Sequence, residues 1–122
     1  MARILIAEDD DILRTVLGTV LKGAGHEITA VSDGSKAWAL IEQGQMFDAI
    51  ISDNNMPRMD GTELLRKVRE SCAYSGVRFT LMSGRDSLPN GKRLADLCSD
   101  FGARFFLKGS FRPNDLIQEG LH

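Results

Sequence analysis

Long apolar runs are absent from this chain of 122 residues, and cysteine and histidine are scarce. No stretch approaches the roughly 18 consecutive apolar residues of a membrane-spanning helix, and no signal-peptide pattern opens the chain. Its two cysteines, Cys72 and Cys98, form no CxxC pair and have no histidine at zinc spacing, so we expect free thiols. His26 and His122 are equally isolated and are expected at the surface or in loops. We therefore expect a cytoplasmic protein that does not bind a membrane.

The chain also lacks a clear excess of positive or negative charge. The chain has 15 Lys and Arg against 17 Asp and Glu, and its formal net charge is −2. A broad electrostatic surface for nucleic acid is therefore not indicated. With 43% hydrophobic residues, a chain of this length can bury a core without disulfides or a structural metal. We expect a single domain over residues 1–122.

The main organisational feature is an alternation of short apolar runs with stretches of helical periodicity. Each run ends in a short polar connection, and each following stretch has apolar residues at helical spacing. Parallel strands need crossover connections, so this order predicts an α/β protein with one doubly wound, five-stranded parallel sheet and helices on both faces. The predicted strands cover residues 3–7, 27–31, 47–52, 77–82 and 104–107, and the last helix begins at Pro113.

Polar residues stand at four of the five strand ends. Glu8 and Asp9 follow the first strand, Asp53 follows the third, Ser83 the fourth and Lys108 the fifth. In parallel sheets of this class, ligands bind outside the carboxyl ends of the strands, where the strand order reverses. We therefore expect these five side chains to meet at one edge of the sheet.

Three carboxylates in one cluster need a cation. Two like charges about 4 Å apart repel by about 4 kcal/mol at an effective dielectric of 20. Since neither His nor Cys is at hand, carboxylate, carbonyl and water oxygens favour Mg²⁺ or Mn²⁺. The ion and Lys108 would leave the site ready for a further anion, and a phosphoryl group fits it. The residues thus predict a Mg²⁺-dependent phosphoryl site with Asp53 as candidate nucleophile.

Simpler interpretations exist for each of these residues. Asp10 and Asp11 are explained by a helix N-terminus, where acidic side chains are favourable. Residues 53–55 alone are typical of a turn, Lys108 of a surface charge and Ser83 of a strand-end cap. None of these explains why Glu8, Asp9, Asp53, Ser83 and Lys108 all fall on the same edge.

Four segments together resemble the receiver domain of two-component response regulators. The pattern covers essentially the whole chain, and its most specific part is a D-x-x-M-P-x-M-D-G loop. The resemblance implies a flavodoxin-like sheet with strand order 2-1-3-4-5, as in chemotaxis regulators. The matching segments are Ile4-Leu5-Ile6-Ala7-Glu8-Asp9-Asp10, Asp53-Asn54-Asn55-Met56-Pro57-Arg58-Met59-Asp60-Gly61, Leu81-Met82-Ser83-Gly84 and Phe105-Phe106-Leu107-Lys108.

The resemblance also implies a role for each acidic residue. Asp53 would accept a phosphoryl group from a phosphohistidine, carried by a sensor histidine kinase or a histidine phosphotransfer protein. Glu8, Asp9, Asp53 and the backbone carbonyl of Asn55 would hold Mg²⁺. The chain would then be a phosphorylation-controlled signalling switch, rather than an enzyme, that changes conformation to alter the binding of a downstream protein.

Further roles follow from the same resemblance. Lys108 and Ser83 would contact the phosphoryl oxygens, and movement of Ser83 toward the phosphate would be coupled to the aromatic ring of Phe105. Slow self-hydrolysis of the acyl phosphate would be tuned by Asn55 and Arg85, which lie two positions beyond Asp53 and Ser83.

The chain departs from the family pattern in four places. Gly109 follows Lys108 where the family usually has Pro, so we expect a trans peptide or a rearranged loop there. Phe105 stands where Tyr is frequent, so its ring offers no hydroxyl to the switch. Residues 83–91 form a longer connection than usual, and the final helix is short, which argues against dimerisation through the face between the fourth strand and the last helix.

Two other functions are alternatives to a free-standing phosphorylated switch. The first is a receiver-like module that binds its partner without phosphorylation, which Gly109 and the short last helix would fit. The second is a Mg²⁺-dependent phosphatase or a flavin-binding protein on a similar scaffold. A phosphatase usually needs a second Asp where Asn55 stands, and no phosphate loop rich in Ser, Thr and Gly follows the first strand for a flavin.

Overall fold

The computed structural model describes residues 2–71 and 74–108 of the chain. Strands and helices alternate along this part, as the sequence predicts. The expected last helix from Pro113, the peptide bond before Gly109 and the environment of Cys72 lie outside the described residues. The elements are β1 (Arg3–Ala7), α1 (Asp11–Gly23), β2 (Glu27–Val31), α2 (Gly34–Glu42), β3 (Ala49–Asp53), α3 (Gly61–Glu70), β4 (Arg78–Ser83), α4 (Leu94–Asp100) and β5 (Arg104–Leu107).

The five strands form one parallel sheet in the order β2-β1-β3-β4-β5, which confirms the predicted fold class and strand order. β1 lies between β2 and β3, so the strand order reverses there and the connections leave on opposite faces. β2 is an edge strand whose residues are exposed or only partly buried, as its polar and apolar alternation predicts. The carboxyl ends of β1, β3, β4 and β5 therefore lie along one edge.

Each face of the sheet has its own apolar core. Ile4 and Ile6 of β1 pack on one face with Leu17 and Leu21 of α1. The intervening Leu5 and its neighbours on the other strands pack on the opposite face against α2, α3 and α4. Fully burying one such side chain is worth about 1.5–3 kcal/mol, which explains why strands covered on both faces read as continuous apolar runs.

Aspartate begins three of the four described helices. Asp10, Asp33 and Asp60 each have extended backbone, and their side chains accept N–H groups of the first helical turn. This satisfies backbone donors that a helix start leaves without partners. α4, by contrast, follows Arg93 and has no side-chain cap.

The bounds of two strands, β3 and β4, differ from the sequence prediction. Phe47 precedes β3, where its ring packs beneath the guanidinium of Arg3 at 5.8 Å. At the other end, β3 includes Asp53, because this residue still pairs with Met82 of β4. Ser83 is likewise the last residue of β4 and pairs with a residue of β5. Both polar residues are thus fixed by the sheet itself rather than by the loops that follow.

The connection between β4 and α4 is folded back on itself. Ser87 and Arg93 form an isolated antiparallel bridge, and Leu88 packs against the core between them. α4 then buries Leu97 and Cys98, so the described cysteine is a free, buried thiol as expected. Over the described ranges, no helix has the length and apolar character needed to cross a membrane.

Candidate functional site

Three carboxylates converge at the carboxyl edge of the sheet. Glu8 follows β1 and is fully buried, Asp53 ends β3 and is 3% exposed, and Asp9 faces solvent. One carboxylate oxygen from each lies within 4.8 Å of the other two. The structure therefore brings together the acidic side chains that the sequence places at the ends of the first and third strands.

Lys108 joins this cluster from the end of β5. Its Nζ lies 3.0 Å from Oε1 of Glu8 and 3.1 Å from Oδ1 of Asp53. Its backbone N–H donates to the carbonyl of Ser83 at 2.7 Å, which continues the pairing of β5 with β4. The ammonium group thus bridges two carboxylates from different strands.

The electrostatics of the cluster are dominated by burial. Burial raises the pKa of Glu8 to about 7, although the N–H of Asp10 and the ammonium of Lys108 act in the opposite direction. Burial also raises the pKa of Asp53, and the nearby Lys108 only partly offsets this. The pKa of Lys108 itself is lowered by burial but raised more strongly by its two carboxylate contacts. One ammonium therefore does not fully compensate three clustered carboxylates.

The donor set fits a hard divalent cation. Oε2 of Glu8 accepts the N–H of Asp10 at 3.2 Å. Oε1 of Glu8 is buried and, besides its ion-pair contact with Lys108, has no hydrogen-bond partner within the described part of the chain. Buried carboxylates are costly unless cations engage them, and the single ammonium of Lys108 is shared between Glu8 and Asp53. Since all three side chains offer oxygen and Asp9 opens to solvent, the site suits Mg²⁺ or Mn²⁺ with several bound waters.

The loop between β1 and α1 is held by the start of α1. Asp10 caps the helix by accepting two N–H groups of its first turn, and Asp11 lies in that turn, which confirms the simpler interpretation of both residues. Arg14 pairs with Asp11 and donates from Nη1 to the carbonyl of Glu8 at 2.8 Å. Arg14 therefore helps to fix the backbone that presents Glu8.

The loop between β3 and α3 closes on Asn54, which is buried. Its N–H donates to the carbonyl of Met82 at 2.7 Å, and its Oδ1 accepts the N–H of Thr62 at 3.2 Å. The N–H of Gly61 donates back to the carbonyl of Asn54 at 3.0 Å. Asn55 follows in this closed loop with its side chain exposed.

Gly61 is required by a close approach at this loop. A Cβ at this position would lie 2.4 Å from the carbonyl oxygen of Asp53 and 2.4 Å from a methyl group of Leu81. Contacts this short do not occur between real atoms, so only glycine fits without displacing the backbone of Asp53. Close packing thus explains why the D-x-x-M-P-x-M-D-G pattern ends in glycine.

Ser83 lies at the end of β4 and is fully buried. Its Oγ accepts the N–H of Arg85 at 3.1 Å, and the Arg85 side chain is exposed. Ser83 pairs with Leu107, the residue before Lys108, so its backbone is fixed relative to that lysine. Its predicted contact with a phosphoryl group stays a prediction.

Phe105 is half-buried on β5, where it pairs with Leu81. Its ring packs against the core cluster that α2, α3 and α4 cover, whereas Phe106 packs on the opposite face. The position is compatible with an aromatic ring that changes its exposure, but the coupling of Phe105 to Ser83 stays a prediction.

Sequence reasoning missed two residues that shape the site. Arg14 and Asn54 both fix loop backbone, and neither offers a direct ligand. The spacing of Arg14 three residues after Asp11 was a signal for a helical ion pair, yet nothing local pointed to its bond with the carbonyl of Glu8. The sequence indicates Asn54 only as part of a turn.

Comparisons with known proteins agree on one family. The family model of the response regulator receiver domain matches residues 4–119. The two-component response regulator ORR3 of Oryza sativa subsp. indica is 33% identical over 113 residues, covering 92% of this chain and 83% of that protein. The 3',5'-cyclic-nucleotide phosphodiesterase regA of Dictyostelium discoideum is 36% identical over 83 residues, or 67% of this chain. The match spans only 10% of that phosphodiesterase.

A solved structure is similar over nearly the whole length. The chemotaxis response regulator CheY4 of Vibrio cholerae superposes with a TM-score of 0.81 at 32% sequence identity, covering 97% of this chain and 94% of that one. The fold, the strand order and the cluster of carboxylates thus agree with the similarity to receiver domains in sequence and in structure. The chain belongs to the response regulator receiver domain family.

Proposed function

We propose that this receiver domain is a phosphorylation-controlled switch in which Asp53 accepts a phosphoryl group with the help of Mg²⁺. The observation that carries the proposal is the convergence of Glu8, Asp9 and Asp53 beside Lys108 at one edge of the sheet. Receiver domains are signalling modules that work with histidine kinases or phosphotransfer proteins. We therefore propose a phosphohistidine on a sensor histidine kinase or a histidine phosphotransfer protein as the donor.

Glu8, Asp9, Asp53 and the carbonyl of Asn55 would hold the ion. Mg²⁺ would supply positive charge to the oxygens of the transferring group. Oδ of Asp53 forms a bond to phosphorus as the P–N bond of phosphohistidine breaks, and the imidazole nitrogen leaves with the electron pair. The carboxylate is held in place for this because the backbone of Asp53 pairs with β4 and because Lys108 contacts the carboxylate directly.

Lys108 and Ser83 are proposed to bind the phosphoryl oxygens. Lys108 already neutralises part of the cluster, and it can exchange a carboxylate contact for an oxygen of the arriving phosphoryl group. Ser83 offers a hydroxyl proton, since its Oγ is the acceptor and not the donor in its bond with Arg85. A change in these contacts, transmitted to Phe105, would alter the surface that a downstream protein recognises.

The experiment is phosphorylation with phosphoramidate and Mg²⁺, followed by intact mass spectrometry. We expect one added phosphoryl group on the wild-type chain and none on Asp53→Asn, because the amide cannot act as the nucleophile. Asp96→Asn is the matched control, since Asp96 is exposed on α4 away from the cluster and should leave uptake unchanged. Chelation of Mg²⁺ should abolish uptake.

Equal labelling of the wild type and Asp53→Asn would contradict the proposal. A second arm tests the receiver-like module that binds without phosphorylation. Partner binding is measured with and without beryllofluoride and Mg²⁺, and a switch predicts that the affinity changes. Identical binding in both states would instead favour constitutive recognition.

A further inference from the structure

The loop between β3 and α3 touches the start of α2 through an ion pair. Nη1 of Arg58 donates to Oδ2 of Asp33 at 2.8 Å across 25 positions of sequence. Immediately beside this pair, the backbone of Met59 packs against Gly34, where a Cβ would lie 2.5 Å from the Met59 carbonyl oxygen. The two contacts clamp the second half of the loop onto α2.

Asp33 is a rigid anchor for this contact. It is 1% exposed, and its Oδ1 accepts the Ser35 hydroxyl at 2.6 Å and the N–H of Lys36 at 2.9 Å. Burial raises the pKa of this carboxyl, but the three donors around it outweigh burial and hold the pKa below its ordinary value of 3.8. Asp33 is therefore charged at neutral pH, with Oδ2 directed to Arg58.

Arg58 holds its backbone in an unfavourable conformation. Its φ is +68°, and it is the one non-glycine residue with positive φ among residues 2–71 and 74–108. Such a conformation is costly for a residue with a Cβ and persists only where surrounding contacts enforce it. Outside its own loop, those contacts are the carboxylate of Asp33 and the packing of Met59 on Gly34.

We propose that Arg58 is a positioning residue for the metal site, acting through its ion pair with Asp33. This inference rests on the proposed function, in which the backbone carbonyl of Asn55 binds the ion. Asn55 lies between two fixed points, since Asn54 is tied to β4 and α3 while Arg58 is tied to α2. When the ion pair between Arg58 and Asp33 is lost, the loop is held only at Asn54. The carbonyl of Asn55 can then leave the position in which it binds the cation.

The direction in which removal of Arg58 changes the cation affinity distinguishes a positioning role from simple electrostatics. Arg58 is a cation on a loop that borders an acidic cluster, so its removal would by Coulomb attraction alone make cation binding slightly tighter. Loss of positioning does the opposite, because a ligand must be reordered when the ion binds. Weaker binding in the variant is thus not explained by the lost charge.

The experiment is a Mn²⁺ titration of the full chain, followed by the electron paramagnetic resonance signal of the free ion. We expect Arg58→Ala to bind Mn²⁺ about two- to fivefold more weakly than the wild type, because an ion pair whose Arg58 side chain is 67% exposed supports the loop only modestly. Arg66→Ala is the matched control, because it removes the same charge from an exposed position on α3. Arg58→Lys should recover part of the affinity, since it keeps a cation opposite Asp33.

Two further variants separate positioning from stability. Arg58→Gly relieves the positive φ, so we expect its stability to equal or exceed that of Arg58→Ala while Mn²⁺ binding stays weak. Asp33→Ser keeps a cap for α2 but removes the charge, so adding Arg58→Ala to it should weaken binding no further. Amide hydrogen exchange should rise in residues 55–59 of Arg58→Ala and not in β1 or β3.

The outcomes distinguish this inference from the function on which it rests. A wild-type chain that binds no Mn²⁺ overturns both. A wild-type chain that binds Mn²⁺ as tightly as Arg58→Ala and Arg58→Gly overturns the positioning role alone. Additive losses in the Asp33→Ser background would show that Arg58 acts independently of Asp33, which also overturns it.

Discussion

Arg69 of α3 connects distant segments of the chain through three hydrogen bonds. Its guanidinium donates from Nε to the carbonyl of Phe101 at 2.6 Å, from Nη1 to that of Val77 at 2.6 Å and from Nη2 to that of Gly102 at 3.3 Å. These carbonyls flank the start of β4 and the turn before β5. Arg69 thus ties together the segments that lead into the strands carrying Ser83 and Lys108.

We expect Arg69→Met to destabilise the fold by about 2–4 kcal/mol. A hydrogen bond to a charged group contributes about 1.5–3 kcal/mol, and two of the three bonds of Arg69 are short. The sum is reduced because the side chain is only partly buried and because Met retains the apolar contacts of the stem. Burial lowers the pKa of Arg69, but arginine remains protonated at neutral pH, so all three donors are in place.

The assay is urea unfolding followed by circular dichroism, with Arg66→Met as the matched control. Arg66 lies on the same helix but is exposed, so its replacement should change the free energy of unfolding by no more than about 0.5 kcal/mol. If Arg69→Met and Arg66→Met unfold at the same urea concentration with equal slopes, the three carbonyl contacts do not stabilise the fold and the reasoning is refuted.

Three further predictions follow from burial and close packing. Gly61→Ala should lower the free energy of unfolding in urea by about 1–3 kcal/mol and slow phosphoryl uptake, because its Cβ would displace the Asp53 carbonyl. Wild-type behaviour in both assays would contradict this. Asp33 has a lowered folded pKa, so its contribution to stability is present above its ordinary pKa of 3.8 and is lost as the pH falls through the folded value. The difference in unfolding free energy between wild type and Asp33→Asn should therefore shrink at acidic pH, and a pH-independent difference would argue against a charged Asp33. Burial raises the pKa of the Cys98 thiol to about 11. In a Cys72→Ser variant, iodoacetamide should therefore label Cys98 slowly at pH 8 and faster once urea is added. Rapid labelling of the folded protein would show that Cys98 is accessible.

Much of the fold follows from local patterns. The apolar run of residues 104–107 coincides with β5, and the aspartates at positions 10, 33 and 60 mark helix starts. These features were predictable because hydrophobic periodicity and capping act over a few residues. The gathering of Glu8, Asp9, Asp53 and Lys108 was predictable as well, since parallel strands bring their carboxyl ends to one edge.

The supports of the site could not be predicted in the same way. Arg58, Arg69 and Arg14 all look like ordinary surface charges in the sequence. Arg58 meets Asp33 across 25 positions, and Arg69 meets Phe101 across 32. No local pattern encodes such contacts, because they depend on how loops pack after the sheet has formed. The end of β3 was missed for a related reason, since the pairing of Asp53 with Met82 is set by the register of two strands.

The central claim is that a phosphoryl group is carried on the side chain of Asp53. The most direct measurement treats the chain with phosphoramidate and Mg²⁺, reduces the acyl phosphate with borohydride, and maps the product by peptide mass spectrometry. The account predicts conversion of Asp53 to homoserine, dependent on Mg²⁺. Reduction at another aspartate, or at none while phosphoryl uptake is complete, would contradict it.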